Sequence, residues 1–176
     1  EGTHRPGPFV GVATVVAKLI LQSRANAAIF GEKDYQQLAV IRRFVKDLDI
    51  ECKILGGTLI REPDGLAASS RNVYLSPKER EIAASFNHIL RDLVESAETQ
   101  TNENQISLRM LENHAINSLL KAGFTKVDYV SIVEKDTLIP IDTITGEARV
   151  ISVARFGDVR LLDNMAINPT GSPTPI

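Results

Sequence analysis

The sequence predicts an α/β protein in which the remnant of a parallel sheet with flanking helices precedes a small α+β domain. Helical and strand patterns alternate between residues 12 and 55, as they do in parallel sheets. A Gly56-Gly57 pair then breaks the alternation. Three strand-like runs at short spacing follow two helical patterns in the rest of the chain. This order favours an antiparallel sheet packed on two helices.

The first half predicts a helix, a strand, a helix and a strand. Apolar residues recur at helical spacing in the first helix, at Val12, Val15, Val16, Leu19 and Ile20. Ala27–Phe30 and Ile50–Leu55 are strand-like. The helix between them starts near Asp34, and its apolar face is Leu38, Ile41, Val45 and Leu48. Because two strands cannot form a stable open sheet alone, we expect this half to expose apolar surface unless another segment or chain covers it.

The second half begins after a boundary that we place at residue 58. Residues 1–58 would then end the parallel-sheet domain, and residues 59–167 would form the α+β domain. The run Ser76-Pro77-Lys78-Glu79 predicts a helix start with a capping box. Residues 168–176 carry three prolines and little apolar surface, so we expect a disordered tail.

Two helices and three strands are predicted inside that domain. The helix faces are Ile82, Phe86, Ile89, Leu90, Leu93 and Val94 in the first helix, and Leu108, Leu111, Ala115 and Leu119 in the second. Gly123 is expected to end the second helix. The strand-like segments are Val127–Val133, Ala148–Val153 and Val159–Leu162.

Composition excludes several functional classes. The 176 residues carry a formal net charge of −2, which provides no basic excess for nucleic acid. No apolar run approaches the roughly 20 residues of a membrane span, and the first residues lack the apolar core of a signal peptide, so we expect a cytoplasmic protein with no membrane partner. Cys52 is the single cysteine. It excludes an internal disulfide and a cysteine metal cluster, and we expect it to be buried.

The segment Phe30–Leu38 reads Phe-Gly-Glu-Lys-Asp-Tyr-Gln-Gln-Leu and joins a strand to a helix. At such a junction the first helical amides are unpaired and the helix dipole favours anions. Lys33 could therefore meet a phosphate, Asp34 a sugar hydroxyl, and Gln37 a polar substrate. The alternative is a solvated turn in which Asp34 only starts the helix.

The segment Arg61–Tyr74 contains a Pro63-Asp64-Gly65 turn followed by Ser69-Ser70-Arg71-Asn72. Hydroxyl donors beside a guanidinium suit a polyphosphate. The alternative is a polar surface loop in which Arg71 pairs with a nearby acid.

Together these two segments resemble the pantothenate synthetase family, also called pantoate–β-alanine ligase. The segments Arg5–Leu19 and Phe156–Asn164 are similar to family sequence as well, so the resemblance covers nearly the whole chain apart from its last dozen residues. It implies that the first half is the end of a Rossmann-like nucleotide-binding domain. Members also carry a His-x-Gly-His signature in an N-terminal half, and no such sequence occurs here. We therefore expect this chain to correspond to the later part of the enzyme.

The resemblance implies an ATP-dependent ligase that condenses pantoate with β-alanine to give pantothenate, AMP and pyrophosphate through pantoyl adenylate. It also implies Mg²⁺ with the nucleotide and a homodimer in the complete enzyme, and no metal site made of protein side chains alone. An alternative is a fragment that binds nucleotide without turnover of its own. A second alternative is an interaction module whose sheet edge pairs with a partner.

Site residues follow from the resemblance position by position. Nucleotide contacts would come from Gly31, Lys33, Asp34, Ile60, Ser69, Ser70 and Arg71, and the catalytic residues among these would be Lys33, Ser69, Ser70 and Arg71. Gln37 would contact pantoate. Arg5 is a further candidate, although Pro8 stands nearby where the family usually has His. Since proline cannot donate a proton or a hydrogen bond, Pro8 cannot supply the contact that the resemblance would assign to that histidine.

Overall fold

A computed structural model describes residues 8–99 and 106–168 of the chain. The protein divides into two compact units, one ending at Leu59 and the other beginning at Ile60. Arg5 and the tail after Asn168 lie outside the described residues, so the expectations for them stay predictions. In the described part of the chain, no helix is long and apolar enough to cross a membrane.

In the first unit, helices alternate with two strands that run parallel. Helix α1 (Pro8–Ser23) precedes strand β1 (Ala27–Gly31), and helix α2 (Tyr35–Asp47) precedes strand β2 (Lys53–Gly57). The two strands pair in parallel, from Ala27 opposite Lys53 to Gly31 opposite Gly57. This pairing confirms the parallel part of the predicted α/β fold.

The core of the first unit is small. The buried members of its core cluster are Ile20, Ile41, Val45 and Cys52, so the predicted burial of Cys52 is confirmed. Tyr35 and Leu38 of α2 are buried as well. The predicted helix faces are only partly correct, because Val15 is 57% exposed, Leu19 60% and Leu48 63%. Helix α1 is apolar on nearly all sides, so spacing alone could not select its buried side. Leu48 lies after the last residue of α2, where the backbone leaves the helical conformation.

The second unit packs helices on a three-stranded antiparallel sheet. Its helices are α3 (Pro77–Ala83), α4 (Ser85–Glu98) and α5 (Leu108–Ala122), and its strands are β3 (Lys126–Glu134), β4 (Ala148–Phe156) and β5 (Val159–Ile167). The strand order is β3-β4-β5. The predicted antiparallel sheet is therefore confirmed, with each strand longer than its apolar run.

The predicted helix after Ser76 begins as expected but is interrupted once. Ser76 and Glu79 form the full capping box, with Pro77 in the first turn. The helix breaks between Ala83 and Ser85, where the prediction had one continuous helix. The Ser85 hydroxyl donates to the Ile82 carbonyl at 2.7 Å, and such side-chain bonds compete with the helical ladder.

The core of this unit lies between the helices and the sheet. Phe124 joins the two layers, since its ring centroid is 5.5 Å from that of Phe86 on α4 and 4.4 Å from that of Phe156 on β4. The predicted faces of α4 and α5 point into this core. Gly123 ends α5 in the left-handed conformation, at φ 118°, as predicted.

Candidate functional site

The lysine segment lies at the carboxyl end of β1. Gly31 is the last residue of the strand and has an extended backbone, with φ −63° and ψ 133°. A Cβ atom built on Gly31 would meet no atom of the described chain within 4 Å. Neither conformation nor internal packing therefore requires glycine here, which leaves open space beside the backbone for a ligand.

Lys33 and Asp34 follow on a single 3-10 turn, Glu32–Asp34, which leads directly into α2. Lys33 is half-buried, whereas Asp34 is exposed. Asp34 occupies the N-cap position of α2, but its side chain makes no capping hydrogen bond. Asp34 thus stands at the start of the helix with an exposed carboxylate, an arrangement compatible both with a solvated turn and with binding of a ligand.

Gln37 lies in the first turn of α2 and is half-buried. Behind the turn, the Glu32 side chain lies against Gly56 of β2, where an added Cβ would come within 2.6 Å of the Glu32 Oε1 atom. Real Cβ contacts are not this short, so a side chain at position 56 would displace the flexible end of Glu32. The sequence pattern at Gly56-Gly57 predicts only a break in the alternation.

The second segment begins with a hairpin. Arg61 and Ala67 form an antiparallel bridge, and the intervening turn is closed by a hydrogen bond from the Gly65 amide to the Glu62 carbonyl at 2.9 Å. Gly65 has φ 89°, a conformation that favours glycine. Its space is also limited, because an added Cβ would lie 2.8 Å from the Asn87 side chain.

The predicted phosphate contacts follow this hairpin. Ser69 is half-buried, and its Oγ accepts a hydrogen bond of 3.2 Å from the Arg71 amide at the start of a 3-10 helix, Ser70–Tyr74. Ser70 and Arg71 are exposed. Ile60 is 74% exposed, and its carbonyl accepts a hydrogen bond from the Ala68 amide at 2.9 Å. The second unit thus brings Ile60, Ser69, Ser70 and Arg71 into one local loop structure.

The acids next to this loop bind another arginine. Arg80 of α3 donates from Nη2 to Glu62 Oε2 at 2.6 Å and from Nη1 to Asp64 Oδ2 at 2.5 Å. Among residues 8–99 and 106–168, Arg71 forms no ion pair. The alternative in which Arg71 pairs with a nearby acid is therefore not found in the described residues, and its guanidinium can meet an external anion.

These contacts lower the pKa values of both acids. Hydrogen bonds from Asn72 and then from Arg80 hold the pKa of the Glu62 carboxyl below its ordinary value. The hydrogen bond from Arg80 does the same for the pKa of Asp64. Both carboxyls are therefore ionised near neutral pH and neutralised in part by Arg80.

A second ion pair anchors the hairpin to β5. Arg61 binds Asp163 through both carboxylate oxygens, at 2.7 and 2.8 Å, and the Asp163 side chain is fully buried. Sequence reasoning missed this pair. The available signal was an aspartate directly after the strand-like segment Val159–Leu162, since a carboxylate that becomes buried requires a cation or donors.

A shallow cavity of about 400 Å³ opens elsewhere in the first unit, beside the amino end of β2. Its polar lining is Arg42, Lys46, Asp49 and Cys52. It contains none of the predicted site residues. Across the described ranges, no group of three or more His, Cys, Asp or Glu side chains is arranged to hold a metal ion.

Comparison with known proteins extends the likeness to nearly the whole chain. A family model described as Pantoate-beta-alanine ligase matches residues 1–166. The pantothenate synthetase of Rhizorhabdus wittichii is 49% identical over 169 residues, which cover 96% of this chain and 58% of that protein. This chain therefore spans less than two thirds of the length of that relative.

Solved structures give the same result. The crystal structure of pantothenate synthetase from Thermus thermophilus has a TM-score of 0.85 at 42% identity, and the match covers 96% of this chain and 59% of that one. The pantoate–β-alanine ligase of Francisella tularensis, complexed with beta-gamma ATP and β-alanine, has a TM-score of 0.68 at 32% identity. That match covers 93% of this chain and 52% of the other.

Proposed function

The chain belongs to the pantoate–β-alanine ligase family, and from that premise we propose that it takes part in the ATP-dependent condensation of pantoate with β-alanine. In this reaction the pantoate carboxylate attacks the α-phosphorus of ATP, which forms pantoyl adenylate and releases pyrophosphate. The β-alanine amine then attacks the activated carbonyl, which forms pantothenate and releases AMP. A carboxylate becomes a useful electrophile only when its oxygen is part of a good leaving group, and the adenylate supplies that group.

The first unit would bind the nucleotide and pantoate. Gly31 offers open space beside its backbone, Lys33 would bind a phosphate, and the exposed Asp34 carboxylate would accept hydrogen bonds from the ribose. Gln37 would contact pantoate. Two anions must approach each other for the first step, so a cation such as Lys33 and well-aimed donors lower the barrier chiefly by electrostatic stabilisation.

The second unit would bind phosphates through Ser69, Ser70 and Arg71, while Ile60 would contact adenine through its backbone. One observation carries this assignment. Arg71 is exposed beside Ser70, while the two neighbouring acids are engaged by Arg80. A guanidinium offers five donors, and that of Arg71 is paired with no acid among the described residues, so it is suited to a phosphate. In this role it would also help pyrophosphate leave.

Mg²⁺ would arrive on the ATP phosphates, since this ion usually keeps few protein ligands, and it would neutralise phosphate charge when bound. At the lysine segment, the exposed carboxylate of Asp34 would be an oxygen ligand within the described residues for this ion. We also propose a cytoplasmic location, with which the free, buried Cys52 is compatible. We also propose that the complete enzyme is a homodimer.

A second candidate function is nucleotide binding or partner binding without turnover. The exposed apolar side chains of the first unit, such as Ile29 at 71%, favour an interaction with another polypeptide in particular.

Calorimetric titration with Mg·ATP tests the proposal. We expect saturable heat with the parent chain and none with the Lys33→Ala, Arg71→Ala double variant, because each substitution removes a phosphate-binding cation. The matched control is Lys18→Ala, Arg109→Ala, which removes one exposed lysine and one exposed arginine from the same two units.

The outcomes separate the candidates. Heat that survives in the double variant would refute the roles of Lys33 and Arg71. Absence of heat in the parent, with size that increases with concentration, would favour the interaction module. Heat in the parent without pantothenate formation from all three substrates would favour nucleotide binding without turnover.

A further inference from the structure

One side chain, that of Asn72, connects the end of the loop that carries Arg71 to the residues that precede the loop. Asn72 follows Arg71 directly, and its Nδ2 atom donates to Glu62 Oε1 at 2.7 Å and to the Ala67 carbonyl at 3.2 Å. Asn72 is buried. Because these two acceptors precede Ser69, the amide closes the segment that contains Ser69, Ser70 and Arg71 into a loop.

The same network extends to helix α3. The second oxygen of Glu62 accepts from Arg80, and the other terminal nitrogen of Arg80 binds Asp64. The capping box at Ser76 and Glu79 begins that helix, and Ala83 at its end is part of the core. Arg80 thus projects from an anchored helix onto two acids of the hairpin.

Without this arrangement, a nearby carboxylate could compete with a phosphate for the Arg71 guanidinium. Arg71 and Asn72 are adjacent, with Cα atoms about 3.8 Å apart, and Glu62 is held by Asn72. A carboxylate that is not engaged at this position could form its own ion pair with the Arg71 guanidinium. An arginine that is paired internally must lose that partner before it binds a phosphate, so its affinity for an anion falls.

We propose that Asn72 and Arg80 are positioning residues for Arg71, because by binding Glu62 and Asp64 they fix the Ser69–Arg71 loop and keep both carboxylates away from its guanidinium. Neither residue touches substrate in this proposal. The consequence for phosphate binding rests on the proposed function, whereas the arrangement of Arg71 and the two acids does not depend on it.

Nuclear magnetic resonance of the ¹⁵N-labelled chain tests this arrangement without a ligand. The Arg71 Nε–Hε signal is identified by its loss in Arg71→Lys. In the parent it should stay constant between about pH 3 and about pH 6, the range in which carboxyls ionise. In Arg80→Ala it should shift across that range, as the released carboxylates ionise and pair with Arg71.

Charge rescue distinguishes positioning from general damage to the fold. Adding Glu62→Gln and Asp64→Asn to Arg80→Ala should return the Arg71 signal to its parent behaviour, although it restores none of the lost ion pairs. Arg80→Lys keeps the charge without the two-pronged geometry and should show a smaller shift. It also provides the test if Arg80→Ala does not fold.

Titration with pyrophosphate adds a functional measurement. The affinity should fall about fivefold in Arg80→Ala, as expected for competition from a partly exposed ion pair, and recover in the triple variant. Arg109→Ala, which removes an exposed arginine paired with Asp142, should match the parent.

The two measurements fail independently. A constant Arg71 signal in both Arg80 variants, or a shift that persists after both acids are neutralised, would overturn the positioning role whatever pyrophosphate does. A parent chain that shows the predicted NMR behaviour but does not bind pyrophosphate would support the positioning role and count against the proposed function.

Discussion

Individual side chains in the second unit carry the contacts that pattern analysis could not assign. The clearest is Asp163, whose fully buried carboxylate meets both terminal nitrogens of Arg61. A buried charge that loses its partner is costly, because the protein interior solvates it poorly. The pair therefore fixes where the hairpin begins relative to β5.

Arg61→Ala tests this contribution to stability. We expect the free energy of unfolding to fall by about 3 kcal/mol, because the variant leaves Asp163 buried without its cation. Urea unfolding followed by circular dichroism measures the change. Arg109→Ala is the control, since its ion pair with Asp142 is mostly exposed and should contribute less than about 1 kcal/mol. Equal losses in the two variants would contradict the role of burial.

Glu112 of α5 is a carboxyl whose surroundings disfavour its ionised form. Its Oε1 accepts a hydrogen bond of 2.7 Å from the Ile132 amide, on the edge strand β3. Burial raises the pKa of its carboxyl above the ordinary value, and the hydrogen bond only partly opposes this shift. Because the folded state disfavours the ionised form, the contribution of Glu112 to stability falls as pH rises through its ordinary and folded pKa values.

Glu112→Gln should therefore stabilise the protein near neutral pH and have little effect near about pH 4, where much of the carboxyl is already protonated. The glutamine can still accept from the Ile132 amide. Unfolding measured across this pH range checks the prediction, with the exposed Glu95→Gln on α4 as the control. A stabilisation that is the same at both pH values would show that charge burial is not its cause.

Helix and turn elements follow local rules closely in the second unit. Ser76 Oγ accepts from the Glu79 amide at 3.3 Å, and Glu79 Oε2 accepts from the Ser76 amide at 2.8 Å. These bonds satisfy amide groups that have no partner within the helix. The start of α3, and with it the position of Arg80, is thus determined within four residues.

Ser76→Ala should reduce the free energy of unfolding by about 1 kcal/mol, the usual effect of losing an N-cap. Thermal unfolding monitored by circular dichroism detects such a change. Ser96→Ala provides the control, because Ser96 is an exposed residue inside α4 whose hydroxyl, among the described residues, bonds to the Asp92 carbonyl alone. It should change stability by less than about 0.5 kcal/mol. Loss of similar size at Ser96 would argue against a specific capping effect.

At the scale of the whole molecule, the two units differ in how much they bury. Among the described residues, the core cluster of the first unit has four buried members, whereas that of the second has twenty. Hydrophobic burial is the main favourable contribution to folding, and local stability follows the density of buried apolar contacts. The first unit should therefore open more readily than the second.

Hydrogen exchange followed by mass spectrometry tests this difference. Amides of β1 and β2 should exchange faster than those of β3, β4 and β5, because the first unit has the smaller core cluster. Peptides from α5 serve as an internal reference within the second unit. Uniform protection of both units would show that they unfold together as one cooperative structure.

The sequence by itself determined the element types, the antiparallel sheet, the capping box and the segments proposed to bind ATP. These features depend on local spacing and on backbone preferences within a few residues, as at Ser76 and Gly123. The family resemblance likewise came from short contiguous runs, among them Phe30–Leu38.

Tertiary structure alone decided which charges meet. Arg61 and Asp163 are 102 positions apart, and nothing in the local pattern identifies one as the partner of the other. The acids at Glu62 and Asp64 could have paired with Arg71, yet α3 presents Arg80 to them. Burial of Val15 and Leu48 was also misjudged, because periodicity indicates that a helix has an apolar side but not which surface is available to cover it. Ion pairs and buried faces depend on how the elements pack in space, and periodicity along the chain does not contain that information.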